Sequence, residues 1–509
     1  MRDRLSAALL LSALAALASG CTQPALDLAP PRPDRPWQPS TNGQGEIVPG
    51  KSTPVSASSY VLPANATLGA VPAAPALDAG HPYTLPELID IAQSGHPETR
   101  IAWNNARNAA LAAGIVQSAY LPRVTASVIG GHTGAHGQST ALGATGDTST
   151  TGTGTISALS LQWLLFDFGE RQATAEAAQQ LSVASNIAFT AAHQRVIHEV
   201  CIAFYALAAA QAQVETAERS LRNALDVEAA ATERYKHGIG TVIDVNQAHQ
   251  ASAQARLAEV RAKGGAQDAY LALVSAMGIS PLTQFKVADV SHRALSGSML
   301  QPVERIVAEA LARRPDVLGA YAAQKASAAS VRAAEADFRP KVFMSATGSY
   351  NTGQLGVTSI PAAGQQPPTL NVSGNRWGST VMVGITVPLY DGRVRDSVLM
   401  QAQANADKAA AALDRVREEA VRQIVAAQNT LETSLAAHDA SLALAQAAQT
   451  SFDAAFDAYR RGVGSVTAVT LAQTQLLQAQ AASNDAHSAA LAAAATLAFA
   501  AGALGAAPP

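Results

Sequence analysis

Two patterns of apolar and polar positions run along this chain, and each occurs twice. In the first, apolar side chains fall on every second position: Val124, Ala126 and Val128 alternate with Thr125 and Ser127, and Leu159, Leu161, Trp163 and Leu165 alternate with Ser160 and Gln162. Val381, Val383, Ile385, Val387 and Leu389 repeat it later, opposite Met382, Gly384, Thr386 and Pro388. A period of two gathers one set on one face of a β-strand. It predicts strands at about 123–132, 155–166, 341–350 and 379–390. Between them, His132–Gly154 and Tyr350–Gly378 are rich in Gly, Ser and Thr and read as loops that tolerate length change. Strands of roughly ten residues with aromatic residues near their ends (Tyr350, Trp377, Tyr390, Phe166) have the length and pattern of transmembrane β-strands. A solvated hairpin covering a soluble core fits the same pattern.

The second pattern is helical. Glu170–His237 and Arg393–Arg461 each run for about 68 residues without Gly or Pro. At 1.5 Å per residue that is on the order of 100 Å of helix, longer than any globular core requires. In the first stretch Val196, Val200, Ile202, Leu207, Leu221 and Leu225 recur at helical spacing, which predicts packed neighbours along its length. Alanine at many other positions lets those neighbours approach closely, in a coiled coil. Each stretch ends in a similar segment, "YKHGIGTVIDV" from Tyr235 and "YRRGVGSVTAV" from Tyr459. Lys236, Arg460 and Arg461 suit the negative end of a helix dipole, Gly238 and Gly462 suit a left-handed cap, and Thr241 and Ser465 suit the N-cap of a following helix. The chain therefore reverses there and returns antiparallel.

These segments belong to an ordered set of anchors. Pro97 pairs with Pro315 and Pro122 with Pro340 at an offset of 218; Asp167 pairs with Asp391 and Gly238 with Gly462 at 224; "LVSAMG" ending at Gly278 pairs with "AAGALG" ending at Gly505 at 227. Offsets that hold and then step indicate a tandem duplication with small insertions. The resulting division is a signal peptide at 1–20, a linker at 21–80, a first repeat at 81–281 with its long helix at 170–237, a second at 282–505 with its long helix at 393–461, and a tail at 506–509.

Composition changes the picture mainly by exclusion. Charged residues make up 14% of the 509, with a formal net charge of −3, which gives nucleic acid no basic face. Arg2 and Arg4 precede an apolar run ending in "LASGC", the layout of a secretory signal, and Cys21 is the expected lipidation site. The segment after it is rich in Pro, Ser, Gly and Ala and reads as a tether. Cys201 is the other cysteine and lies in an apolar helical stretch, so no disulfide framework exists. The chain contains no serine-nucleophile elbow, zinc-protease motif or phosphate loop, and the spacings His132/His136 and His193/His198 do not make a metal site. No catalytic residue, cofactor or metal is expected. The alanine-rich run near the C-terminus meets the length of a spanning helix but reads as the last packed helix, because alanine gains little on transfer into lipid.

With "HPETR"/"RPDVL", "LFDFG"/"LYDG" and "GIGTVIDV"/"GVGSVTAV" in order over Tyr83–Gly505, the chain resembles the TolC/OprM family of bacterial outer-membrane efflux proteins. The resemblance implies an α+β membrane protein: four strands per protomer in a twelve-stranded outer-membrane β-barrel of a homotrimer, continued by a long antiparallel α-helical tunnel across the periplasm. It implies an exit duct for a tripartite pump or a type I secretion system. The expected partners are a periplasmic adaptor, an inner-membrane transporter of the RND, ABC or MFS class, and outer-membrane lipid. Gly238, Gly240, Thr241, Gly462, Gly464 and Ser465 would be the adaptor-contacting turns. Asp244, Tyr235, Tyr459 and Arg461 are candidates for a gate at the tip, although Thr241 and Asp244 also form a capping-box pattern. The second repeat departs from well-known members, which carry aspartates where Ala468 and Leu471 stand. A rival reading is an exported coiled-coil structural or adhesin-like lipoprotein.

Overall fold

The structure is a computed structural model. It describes residues 29–30, 33, 37, 39–49, 61–70, 75, 77–141, 144–290, 295, 302–353 and 376–504. The expected signal segment 1–20, the expected lipidation site Cys21 and most of the expected linker therefore lie outside the described residues, as do 354–375 and the tail. The chain divides into two units, Met1–Pro75 and Ala76–Pro509. In the first, strands β1 (Ser40–Thr41) and β2 (Ile47–Val48) form a two-residue antiparallel pair.

In the second unit, short strands β3 (Pro82–Tyr83) and β6 (Lys286–Val287) pair in parallel. The principal sheet contains β4 (Arg123–Ala141), β5 (Ala144–Phe166), β7 (Lys341–Gly353) and β8 (Trp377–Thr386), all antiparallel in that order. Val124, Val128, Leu159, Trp163, Val381, Val383 and Ile385 are exposed. One strand face thus offers its apolar residues to the surroundings, as a lipid-facing surface does.

Two strand expectations need correction. The segment expected as the loop His132–Gly154 is strand almost throughout: β4 and β5 stay in unbroken register from Arg123↔Gln162 to Ala141↔Ala144. The pairing is carried by the backbone ladder, which needs no apolar alternation, so periodicity alone does not reveal a strand of Gly, Ser and Thr. In the other direction, β8 begins at Trp377 and stops at Thr386 rather than 390. Pro388, two residues on, lacks the N–H that a ladder requires.

The helices are α1 (Leu85–Gly95), α2 (Pro97–Gln117), α3 (Glu170–Lys236), α4 (Val242–Ala276), α5 (Val303–Arg313), α6 (Pro315–Ala336), α7 (Val394–Arg460) and α8 (Val466–Ala500). Both α3 and α7 have 67 residues, and both α4 and α8 have 35. Each long helix packs along its return partner, α3 on α4 and α7 on α8, while α2–α3, α3–α6 and α6–α7 are neighbours. The core runs along these seams. Val196, Val200, Phe204 and Leu207 of α3 meet Leu88 of α1, Leu273 of α4 with Met277 at its C-cap, and Leu491 of α8. Ile202 and Leu221 are half-buried, and Leu225 is exposed rather than packed. Part of α3 is apolar enough by length and composition to cross a membrane, yet many of those residues are this core. The alanine-rich C-terminal run is packed helix, with Ala490, Leu491, Ala493 and Leu497 buried.

Each strand of the sheet is joined to one long element: α2 leads into β4, β5 into α3, α6 into β7 and β8 into α7. The β5–α3 junction is fixed by Asp167 and Arg171. The Asp167 carboxylate accepts from the Arg171 amide and from its Nε, at 2.9 and 2.8 Å. Arg171 also donates to the carbonyls of Ala119 and Leu164 and lies over the Tyr120 ring. At the β8–α7 junction Asp391 accepts from the Val394 and Arg395 amides, and Arg395 pairs with both Asp391 and Asp337.

All four long helices end in the same backbone device. Gly238, Gly278, Gly462 and Gly502 have φ between 66° and 88°, and each is bracketed by the two hydrogen bonds of a Schellman motif. This corrects the last sequence anchor. Gly278 corresponds to Gly502, again at an offset of 224, because the left-handed cap needs glycine there; Gly505 lies outside the described residues.

Candidate functional site

The turns after α3 and α7 lie side by side. In the first, Gly238 N–H donates to the Tyr235 carbonyl and Ile239 N–H to that of Arg234, both at 3.0 Å; in the second, Gly462 donates to Tyr459 and Val463 to Ala458, also at 3.0 Å. The second glycine of each turn serves close approach rather than φ. A Cβ on Gly240 would lie 3.0 Å from the Tyr235 amide nitrogen, and one on Gly464 would lie 2.9 Å from that of Tyr459.

The next helices start differently. Thr241 and Asp244 form a full capping box: the Asp244 amide donates to Thr241 Oγ1 at 3.1 Å, and the Asp244 carboxylate accepts from the Thr241 amide at 2.9 Å and its hydroxyl at 2.8 Å. Ser465 makes only the forward bond, accepting from the Ala468 amide at 3.2 Å, because alanine supplies no return carboxylate.

The two matched tyrosines have opposite environments. Tyr235 is 48% exposed, whereas Tyr459 is 2% exposed and packs with Val227, Ala231, Ala248, Phe452, Val466 and Val469. Over its ring lies Arg234, 4.8 Å from the centroid, whose Nη1 also donates to the Tyr459 carbonyl at 2.7 Å. Burial first, and then the Asp244 carboxylate, push the Tyr459 hydroxyl above its ordinary range, with Arg234 opposing. Asp244 thus caps α4 and also acts electrostatically on the second turn. Arg461 is exposed, with its guanidinium 3.7 Å from Asp457 on its own helix.

Sequence reasoning picked out Tyr459 and Asp244 but missed Arg234, which joins the two turns by donating to the carbonyls of Tyr459 and Ile239. Its counterpart at offset 224 is Ala458, and that mismatch within an otherwise matching segment was the available signal. Around this tie, Ile239, Val242, Ile243 and Val463 are exposed, so the turn region presents apolar side chains to its surroundings.

Comparisons with known proteins agree with this architecture. Residues 88–279 and 306–503 each match the family model described as outer membrane efflux protein, so the model matches twice in one chain. Protein CyaE of Bordetella pertussis is 28% identical over 412 residues, spanning 80% of this chain and 82% of that protein. TolC of Escherichia coli is 26% identical over 271 residues, 53% of this chain and 52% of that protein. Among solved structures, the outer-membrane channel OprN is similar in fold with a TM-score of 0.68 at 20% identity, covering 82% of this chain and 89% of that one. The outer membrane protein VceC of Vibrio cholerae gives 0.67 at 21% identity, with 82% and 96% covered. With the model matched over most of the chain and the same strand-to-helix architecture in those channels, the protein belongs to the outer membrane efflux protein family.

Proposed function

We propose that three copies of this chain close into a passive outer-membrane exit duct, with twelve strands in the barrel and the long helices continuing it as a periplasmic tunnel. One observation carries this reading. The sheet runs β4-β5-β7-β8 and the helices joined to those strands run α2-α3-α6-α7, so among the described residues the two layers share one order and the sheet ends on β4 and β8. Four strands cannot satisfy their own edges in lipid, and only a closed barrel does. The helical edges are apolar in the way an unmet interface is: Ile101, Leu111 and Ile115 are exposed on α2, and Val394 and Val398 on α7. A neighbouring copy would cover both.

In this reading the turns at Gly238, Gly240, Thr241, Gly462, Gly464 and Ser465 meet a periplasmic adaptor through the exposed Ile239, Ile243 and Val463. Tyr235, Asp244, Tyr459 and Arg461 belong to the same tip. An inner-membrane transporter of the RND, ABC or MFS class supplies the energy, and the duct itself performs no chemistry. Cys21, acylated, holds the N-terminus in the outer membrane on its periplasmic side. The stalk or adhesin alternative accounts neither for membership in an efflux family nor for a sheet with apolar residues facing outward.

Light scattering of the detergent-solubilised protein, corrected for bound detergent, should give a mass of three chains, and reconstitution into planar bilayers should give discrete conductance steps once the tip is opened by mutation. A monomer, or a trimer that never conducts, would refute the duct.

A further inference from the structure

We propose that His438 on α7 and His487 on α8 form a binding site for a divalent transition-metal ion of the zinc and nickel class. The two residues lie 25 and 24 positions from Val463, on antiparallel helices joined by that turn. They therefore share one height, roughly 37 Å from the turn. Their ring centroids are 5.3 Å apart, with planes inclined at 58°. Two imidazoles on one ion, with metal–nitrogen bonds of about 2.0 Å and a near-tetrahedral angle, place their ring centres about 5 Å apart.

A second observation concerns the ring nitrogen. His438 Nδ1 is closed to water and has no hydrogen-bond partner. The nearest hydroxyl in sequence, that of Ser441, is committed to the His438 carbonyl at 2.9 Å. A buried polar nitrogen left unpaired carries a desolvation cost, and neutral imidazole is a metal ligand at physiological pH. A borderline cation would occupy both rings and remove that cost.

The chemistry limits the site. Among the described residues no group of three or more His, Cys, Asp or Glu converges on one point. The protein supplies two nitrogens, fewer than a closed structural site, so binding is moderate and reversible. At offset 224 the first half carries Val214 and Lys263, and Lys263 is paired with Glu218 and Glu259. The ion would thus tie α7 to α8 and leave the α3–α4 pair untied, stiffening one of the two hairpins.

The test uses full-length protein without an affinity tag, in detergent, titrated with zinc chloride by calorimetry and followed by thermal melting. Saturable uptake of one ion per chain with a rise in melting temperature is expected. His438→Asn and His487→Asn should each weaken uptake at least tenfold while leaving ten of the eleven histidines in place, and Ser441→Ala should leave it unchanged. Gel filtration and circular dichroism establish that the variants are folded. Absence of saturable uptake in the parent, or uptake equal to the parent in both folded histidine variants, would overturn the assignment.

Discussion

Arg234 near the end of α3 holds Tyr459 near the end of α7: its guanidinium donates to the Tyr459 carbonyl at 2.7 Å and stands 4.8 Å from the centre of the ring. The same carbonyl also accepts from the Gly462 amide at 3.0 Å, so Arg234 supplies a second, side-chain donor to it. Arg234→Ala should cost about 1–3 kcal/mol locally by leaving that acceptor short and removing the cation over the ring. Hydrogen exchange of the amides at 459–469 should accelerate. Arg234→Lys, which keeps the charge but loses the planar fork, should fall between the two. Unchanged exchange in Arg234→Ala would remove the tie.

The Tyr459 hydroxyl is buried without a hydrogen-bond partner. Tyr459→Phe should therefore be neutral or stabilising by about 1 kcal/mol, whereas Tyr459→Ala should cost about 3–5 kcal/mol through the cavity.

A pH dependence follows from the same group. Burial and Asp244 raise the hydroxyl's pKa in the fold, so the folded chain keeps this proton to higher pH than the unfolded chain does. That contribution is complete below about 10, the unfolded value, and is lost as pH rises through the folded value. Melting temperature should fall at alkaline pH in the parent, and the fall should be shallower in Tyr459→Phe.

Gly464→Ala places a Cβ 2.9 Å from the Tyr459 amide nitrogen and 3.1 Å from the Ala458 carbonyl carbon. Those atoms are backbone and cannot turn aside. Gly462→Ala makes an ordinary 3.5 Å contact with the Arg234 guanidinium and is strained only by its positive φ of 88°, with a cost of about 1–2 kcal/mol. The first substitution should disturb the turn more than the second, and bulky residues at both should impair adaptor docking in a pull-down while leaving the trimer assembled.

The ion pair of Asp167 and Arg171 is nearly closed to solvent, with side-chain exposures of 7% and 11%. Arg171→Ala should cost about 3–5 kcal/mol, because it leaves a buried carboxylate with backbone donors but no counter-charge and frees the carbonyls of Ala119 and Leu164 together. Thermal melting measures this directly.

Cys201 offers a control. Burial pushes its thiol up to about 11, so little thiolate exists at neutral pH and the folded chain should resist iodoacetamide. Labelling should appear only on denaturation.

The long helices were legible because α3 and α7 contain no Gly or Pro, and nothing else ends a helix so decisively. The two turns were legible for the complementary reason, since a left-handed cap all but requires glycine. Legibility failed where the deciding contact was remote in sequence. The spelling of the C-terminal segment favours Gly505 where φ selects Gly502, and the β4–β5 ribbon reads as a loop in sequence because its register is set by pairing rather than by an apolar face.

By itself, then, the sequence determined the local conformations: the helix lengths, the capping glycines, the Thr241–Asp244 box and the apolar alternation of the inner strand segments. Those depend on backbone sterics and on neighbours within a few positions. Only the tertiary structure decided that Tyr459 is buried while Tyr235 is not, that Arg234 bridges the two turns, and that His438 meets His487. Each of these depends on which side chain another helix brings within a few ångströms, and the duplicated motifs are nearly silent about that because the two halves pack against different neighbours.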